Sequence, residues 1–319
     1  MKLKVNEENM ELFWRFVVER QNIWYKRFVL NEKQPWTEDI ILKNNKFTNV
    51  YRILDRNTQF LLKNIKDFNK NYKTEKMKNP NKDIIFNIIL FRIFNRIDIY
   101  QKLQSNIDVF NPKKVIKILQ EKEKNDGRHV FCDAYMTTGS RLFGYNTKIE
   151  NYVYVIDEIS NNIEYLYKIL STEKDMEIVW EYITQYKGIG GFLAQQLCVD
   201  FSYLDFVKFD NDQWTFAGNG ANGGLSLLFE NNKKSNNLKA MKYLRDNQFY
   251  YLKKYNLFFK EIDNNYFKFF KHCKKGISLN DIENCCCEFY KYYRLKNGKG
   301  KIRVFRPKEN NLYGGNLDN

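Results

Sequence analysis

The sequence predicts a mainly α-helical protein, and three observations carry that reading. Apolar residues recur at helical spacing through most of the 319 residues. Helix start and stop signals, such as Asn111-Pro112 and the stretch Asn297-Gly298-Lys299-Gly300, bound several of those patterns. A hydrophobic content of 43% with 17% aromatics exceeds what disordered chains carry, so the periodic faces have a core to build.

The elements follow in order. Met10 to Phe28, Phe47 to Phe68 and Ile84 to Tyr100 read as amphipathic helices, because polar residues fill the gaps between regularly spaced apolar ones. Asn111 caps a helix that Pro112 opens and that runs through Leu119, and Asn125-Asp126-Gly127 marks a turn. Helical spacing returns at Val153 to Leu170, Glu177 to Tyr186 and Phe192 to Val199. Beyond Asp200 the pattern loosens: Phe206 to Phe209 is a short apolar run, Gly218 to Gly224 reads as a glycine-rich turn before a helix around Leu225 to Phe229, and Asn231 to Asn237 reads as a surface loop. Two further helices are expected around Tyr243 to Cys273 and Leu279 to Tyr293. The whole reads as a single helical domain over 1–305, or two intimately packed lobes, with a flexible C-terminal tail over 306–319.

A net charge of +15 favours an anionic partner, although a chain rich in Lys, Asn and Ile throughout carries much of that charge for compositional reasons. Six cysteines without a CxxC pair, three of them adjacent at 285–287, exclude a disulfide framework and a zinc ribbon; they read as reduced thiols in an intracellular protein of the cytoplasm or nucleus. A metal site near His272-Cys273 is disfavoured, because a helix splays consecutive cysteines around its axis, so no metal ligands are assigned. No apolar leader precedes the first helix and no run is long enough to span a bilayer, so no membrane partner is expected.

The chemistry concentrates in three places. In Tyr186-Lys187-Gly188-Ile189-Gly190-Gly191, an apolar-Gly turn between helices leaves main-chain N–H groups clear of side chains, with a helix N-terminus behind them. Lys187, Gly188 and Gly190 therefore become candidates to grip a nucleic-acid phosphate, against the plain reading of a helix-helix turn. Downstream, Asp205, Asp210 and Asp212 offer carboxylates and Trp214 a stacking ring; Asp210 and Asp212 rank first by position, while the plain reading has them capping a helix or turning the chain. Gly218-Asn219-Gly220-Ala221-Asn222-Gly223 fits GxGxxG but lacks alternating strands and helices, so a Rossmann domain is rejected, and no P-loop is present. Those glycines instead let the backbone approach a ligand or another helix.

The third place is N-terminal: Trp14-Arg15-Phe16, Glu19-Arg20, Trp24, Lys26-Arg27 and Pro35-Trp36-Thr37, then Lys46-Phe47-Thr48-Asn49-Val50-Tyr51-Arg52 with Asp55-Arg56. Interleaved charges and rings suit phosphates and bases, but taken as a pattern they equally describe amphipathic helices with buried rings and solvated charges.

Those strings, with the Gly188–Gly191 hairpin, the block Asp212 to Gly224, Asp281-Ile282-Glu283, Cys287-Glu288-Phe289 and Lys291-Tyr292, resemble the alpha-glutamyl/putrescinyl thymine pyrophosphorylase family. Its helical domain is shared with 5-hydroxymethyluracil DNA kinases. The resemblance runs from Phe13 to about Arg303 and implies a helix-hairpin-helix fold of the DNA glycosylase type. It further implies thymine hypermodification in DNA, in which an amine or amino-acid nucleophile displaces pyrophosphate from an activated, extruded base. On that footing Asp210, Asp212, Arg52 and Asp55 are the catalytic candidates, and Lys46, Asn49, Lys187, Gly188, Gly190, Trp214, Gly218 and Gly220 the substrate or DNA-binding ones. Asn49 would read a pyrimidine edge, Arg52 would hold pyrophosphate, and Asp55 would orient Arg52 or the amine. DNA is the expected partner, with a separate DNA-base kinase as the candidate supplier of activated substrate; no cofactor is certain, and a divalent metal with pyrophosphate is a candidate that no ligand cluster demands. Asn219 departs from the family, which often has proline there. Alternatives are a glycosylase that cleaves the base-sugar bond and a module that binds modified DNA without altering it.

Overall fold

A computed structural model describes residues 3–72, 80–105, 110–132, 142–268, 275–300 and 304. The tail 306–319 and His272-Cys273 lie outside them. Among the described residues the regular structure is helical, with two isolated bridges, Val5 with Phe229 and Asn45 with Val304, in place of strands. No described helix is long and apolar enough to cross a membrane. Contacts divide the chain into two compact units, residues 1–59 with 210–319 and residues 60–209.

The first unit contains α1 (Glu7–Phe28), α2 (Ile40–Asn44) and a 3-10 turn at Arg52–Leu54, followed by the start of α3 (Arg56–Tyr72). Asn6 caps α1 by accepting from the Asn9 N–H, with Glu7 and Glu8 in its first turn and Lys26 and Arg27 in its last, as the helix dipole favours. The expected helix over Phe47 to Phe68 is therefore partly absent. Residues 46–51 run extended because their backbone groups bond to other elements, as described below, instead of to one another.

The second unit begins within α3 and continues through α4 (Pro80–Phe94), α5 (Ile97–Gln104), α6 (Pro112–Asp126), α7 (Lys148–Asn161), α8 (Ile163–Thr172), α9 (Met176–Thr184) and α10 (Gly191–Ser202). The expected helix Ile84 to Tyr100 breaks at Asn95, whose φ of +50° ends α4. Asn111, Pro112 and the left-handed Gly127 start and stop α6 where the sequence placed them. The run Val153 to Leu170 starts earlier, at a Thr147–Glu150 capping box, and divides at Asn162. Ile85, Ile88, Phe91, Val155 and Val199 are buried in this unit, and the Arg92–Asp200 ion pair (Nη2–Oδ1 2.9 Å) joins α4 to α10 inside it. An ion pair this buried fixes how two apolar helices align, since any slip would strand a charge.

The chain then returns to the first unit with α11 (Asn219–Leu228), a 3-10 turn at Lys234–Asn236, α12 (Asn237–Asp246), α13 (Gln248–Lys254), α14 (Asn264–Phe267) and α15 (Leu279–Lys296). The glycine block corrects the sequence reading: it is helix, not turn. A Cβ on Gly220 would overlap the Cys287 thiol, and one on Gly224 would strike the Cys286 carbonyl, so these glycines let α11 lie directly on α15. Cys285 and Cys286 are buried in that seam and Cys287 is exposed. The expected long helix from Tyr243 is instead α12, α13 and α14, because Asn247 and the left-handed Asn256 (φ +52°) interrupt it. On the other face of α15, Phe289 and Tyr292 pack against Phe13 and Phe16 of α1, with ring centroids 5.4 and 4.7 Å apart.

Candidate functional site

The loop 45–55 is organised by Arg20 and by the start of α15. Arg20, 4% exposed, donates to the Thr48 and Asn49 carbonyls at 2.7 and 3.0 Å and reaches the Cys285 Sγ at 3.6 Å. Asn284 of α15 donates to the Asn49 carbonyl at 3.2 Å and accepts from the Thr48 hydroxyl. The Asn49 side chain donates to the Leu54 carbonyl (3.1 Å), while its backbone N–H donates to the Asp55 carboxylate. The Arg52 N–H donates to Asp281 Oδ1 at 2.8 Å, and Asp281 Oδ2 accepts from Ser278, the N-cap of α15, at 2.7 Å. Arg52 is 5% exposed and Asp281 1%, so guanidinium and carboxyl share the interior, with the half-buried Asp55 beside them. Burial raises Asp55 and Asp281 to about 6 from an ordinary 3.8, with the Arg52 charge pulling both back down. A buried carboxyl poised there can exchange a proton near neutral pH.

Asp210 and Asp212 belong to the same neighbourhood as structural groups. Asp210 Oδ1 accepts from the Asp212 N–H (2.7 Å), closing a tight turn, and Asp212 Oδ1 accepts from the Leu279 N–H (2.6 Å) at the first residue of α15. Arg245 holds Asp212 from the other side, through its carbonyl at 2.6 Å and its Oδ2 at 3.3 Å. Burial raises the Asp212 pKa, opposed by the Leu279 N–H and Arg245. Both aspartates and Trp214 are buried. The α15 N-terminus thus brings together Arg52, Asp55 and Asp212 of the sequence candidates, joined through Asp281.

Facing outward from the same loop, Phe47, Thr48 and Asn49 line a cavity of about 60 Å³ with Arg20, Trp24, Arg27, Phe28 and Asn45. Trp24 Nε1 and Asn45 Oδ1, a donor and an acceptor buried behind this wall, have no hydrogen-bond partner among the described residues. Lys46 is exposed, and its carbonyl accepts from Lys291. Gly218 donates its N–H to Glu283 at 3.1 Å, and burial pushes that carboxyl up to about 7.

The glycine hairpin is in the second unit. Gly188 has a φ of +83°, which a side chain resists, and a Cβ there would meet Leu142. Gly190 is the N-cap of α10; it is exposed, and nothing lies within 4 Å of where its Cβ would be. Lys187 is exposed over the Phe143 ring (5.1 Å), Phe192 is 43% exposed, and Ile189 anchors the turn in the core. Trp180 secures the far side by donating to the Gly191 carbonyl at 2.8 Å. Gly190 and Phe192 therefore face solvent, while Leu193 and Ala194 root the first turn of α10 in the core. Asp205, also in this unit, is exposed.

The sequence strings contain Arg20 and Asp281 but give neither a role, and they leave out Ser278 and Asn284. Ser278 and Asp281 had a visible signal, the S-x-x-D spacing of a helix start. Arg20 went unassigned because a charge on an amphipathic helix reads as solvated. Among the described residues no group of three His, Cys, Asp or Glu side chains is arranged to hold a metal ion.

Fold and site together define an all-helical domain that keeps a signature Arg-Asp network inside and a glycine hairpin on its surface. A family model described as "5-hmdU DNA kinase, helical domain" matches residues 7–301, and the chain belongs to that family. A 5-hmdU DNA kinase of Bacillus phage SP10 is 26% identical over 331 residues, covering 97% of this chain and 50% of the relative. The chain thus spans about half the length of the curated relative it matches. No solved structure matches it.

Proposed function

We propose that this chain acts on DNA carrying 5-hydroxymethyluracil or a derivative, as a base-modifying transferase in thymine hypermodification. In this reading the fold is of the helix-hairpin-helix DNA glycosylase type, and the Gly188–Gly191 hairpin holds a phosphate of the DNA backbone. The extruded base is met by the outer surface of the same loop, where Phe47 offers a ring and Thr48 and Asn49 offer polar groups beside it. An amine nitrogen attacks the exocyclic carbon of an activated base, the carbon-oxygen bond to pyrophosphate breaks, and pyrophosphate leaves with the bonding electrons. Asp55 takes the proton released by the amine, and Arg52 sets its charge. A divalent ion, where used, arrives on the pyrophosphate, and the activated base comes from a separate kinase.

The observation that carries this reading is that the family match over 7–301 includes the very residues, Asn49 to Asp55 and Asp281, that build the buried network. One observation favours a second reading, a module that binds modified DNA without altering it: the Asp212 and Asp281 carboxylates are engaged at a helix start. Product analysis separates them. Incubation with DNA bearing a pyrophosphorylated base and an amine is expected to yield free pyrophosphate and an intact, heavier nucleoside. A free base with an abasic site means cleavage, and unchanged DNA in a stable complex means binding alone.

A further inference from the structure

Residues 231–260 carry eight Lys and Arg against one Asp, and although Lys254 pairs with Glu7 and Arg245 with Asp212, the stretch stays strongly basic. The same stretch exposes three large rings, Phe249 (50%), Tyr250 (59%) and Phe258 (72%). The fold explains why they point outward. Helix α13 buries Gln248, Tyr251 and Leu252 against its neighbours, which turns Phe249, Tyr250 and Lys253 to the outside. Asn256 then takes a left-handed conformation, the Leu257 N–H returns to the Leu252 carbonyl at 2.8 Å, and the chain leaves α13 with Phe258 projecting.

Phe258 is one wall of a groove of about 650 Å³ shared with α1, in the first unit. Lys260 lies over both Phe258 (4.4 Å) and Tyr25 (4.9 Å), and Arg15 and Lys26 add positive charge along the α1 side. Two acids also line it, but Asp39 is held by the Tyr292 hydroxyl at 2.6 Å and by the first N–H groups of α2, leaving Glu19.

We infer that this face, from α12 and α13 into the Phe258 groove, binds unpaired nucleotides of DNA; the inference rests on the proposal that DNA is the substrate. Phosphates alone would need only the lysines. Exposed flat rings interleaved with cations add stacking platforms, and a base can use one only when its own face is not already covered by a duplex neighbour. The charge fits a polyanion, and the groove's volume is on the scale of a site for one nucleotide.

The test measures binding of the full chain to a labelled oligothymidylate of about 12 nucleotides, within the span of known single-strand sites, and to a duplex of equal length. The oligothymidylate is expected to bind more tightly. Phe258→Ala is expected to weaken it by roughly 5- to 100-fold, the range that stacking on one ring covers. Lys253→Ala and Lys260→Ala should each reduce the slope of log affinity against log salt by about 0.7. Tyr165→Ala, at an exposed ring of the second unit, should change nothing. All of these side chains lie at or near the surface, so folding is retained; circular dichroism checks it. Wild-type affinity in Phe258→Ala and both lysine variants overturns the inference and leaves DNA as substrate. Duplex bound as tightly as single strand, or a salt-insensitive self-association abolished by Phe258→Ala with DNA binding intact, also overturns it. Failure of the wild-type chain to bind any DNA overturns both the inference and the proposed function.

Discussion

The loop 46–55 of the first unit and the hairpin 185–190 of the second are both short connections leading to helices, and they handle polarity in opposite ways. The first gathers two buried arginines, the buried Asp281 and the half-buried Asp55, and leaves an aromatic cavity outside them. The second buries Tyr186 and Ile189 and presents Lys187, Gly190 and, just beyond it, Phe192 to solvent. Burial makes charges interact strongly and shifts their proton affinities, which suits chemistry; an exposed main chain offers donors of fixed direction, which suits holding a backbone. Under the proposed function the two loops would divide the labour of gripping a polymer and altering one base.

That contrast can be broken most forcefully at Arg52. Arg52→Ala leaves Asp55 and Asp281 without the cation that offsets their burial, and a loss of about 3–5 kcal/mol in denaturant unfolding is expected. A loss below about 1 kcal/mol would mean the guanidinium is not what holds these carboxyls. Next comes pH. Because both carboxyls bind protons more tightly folded than unfolded, their contribution to stability is full below about pH 4 and is lost as pH rises through about 6. Unfolding free energy is therefore expected to be greater at pH 5 than at pH 7 from these groups, and Asp55→Asn to flatten the difference; an unchanged pH profile in that variant would contradict the assignment.

The hairpin sharpens the comparison with smaller effects. Gly188→Ala combines a positive φ with the Leu142 contact and is expected to cost about 1–3 kcal/mol, whereas Gly190→Ala, with open space and an ordinary φ, should stay within about 0.5 kcal/mol. Equal losses at the two positions would mean that the turn is held some other way. Lys187→Ala should leave stability alone and reduce the salt slope of duplex binding by about 0.9, and an unaltered slope would remove Lys187 from the phosphate contact.

Much of the fold was legible because its signals are local. Asn111-Pro112 and Gly127 delimit α6, and the Gly188 turn needs a conformation that glycine supplies. What escaped is decided by contacts distant in sequence. Residues 46–51 have helical spacing yet run extended, because Asn284 and Arg20 hold their carbonyls. Gly218 to Gly224 has the composition of a turn, and only the closeness of Cys286 and Cys287 reveals a helix seam. The site was half legible for the same reason. Arg52 and Asp55 stand in a recognisable string, but Arg20 and Asp281 join them only once α1 and α15 are packed.

The central claim, that this chain alters a thymine-type base in DNA, is tested most directly by mass spectrometry of the nucleosides in DNA from cells with the gene, without it, and with Asp55→Asn in its place. The account expects a nucleoside heavier than thymidine in the first, replaced by its hydroxymethyl or phosphorylated precursor in the second and reduced in the third. Identical nucleoside composition in all three, or a change confined to free nucleotides, RNA or protein, would contradict it.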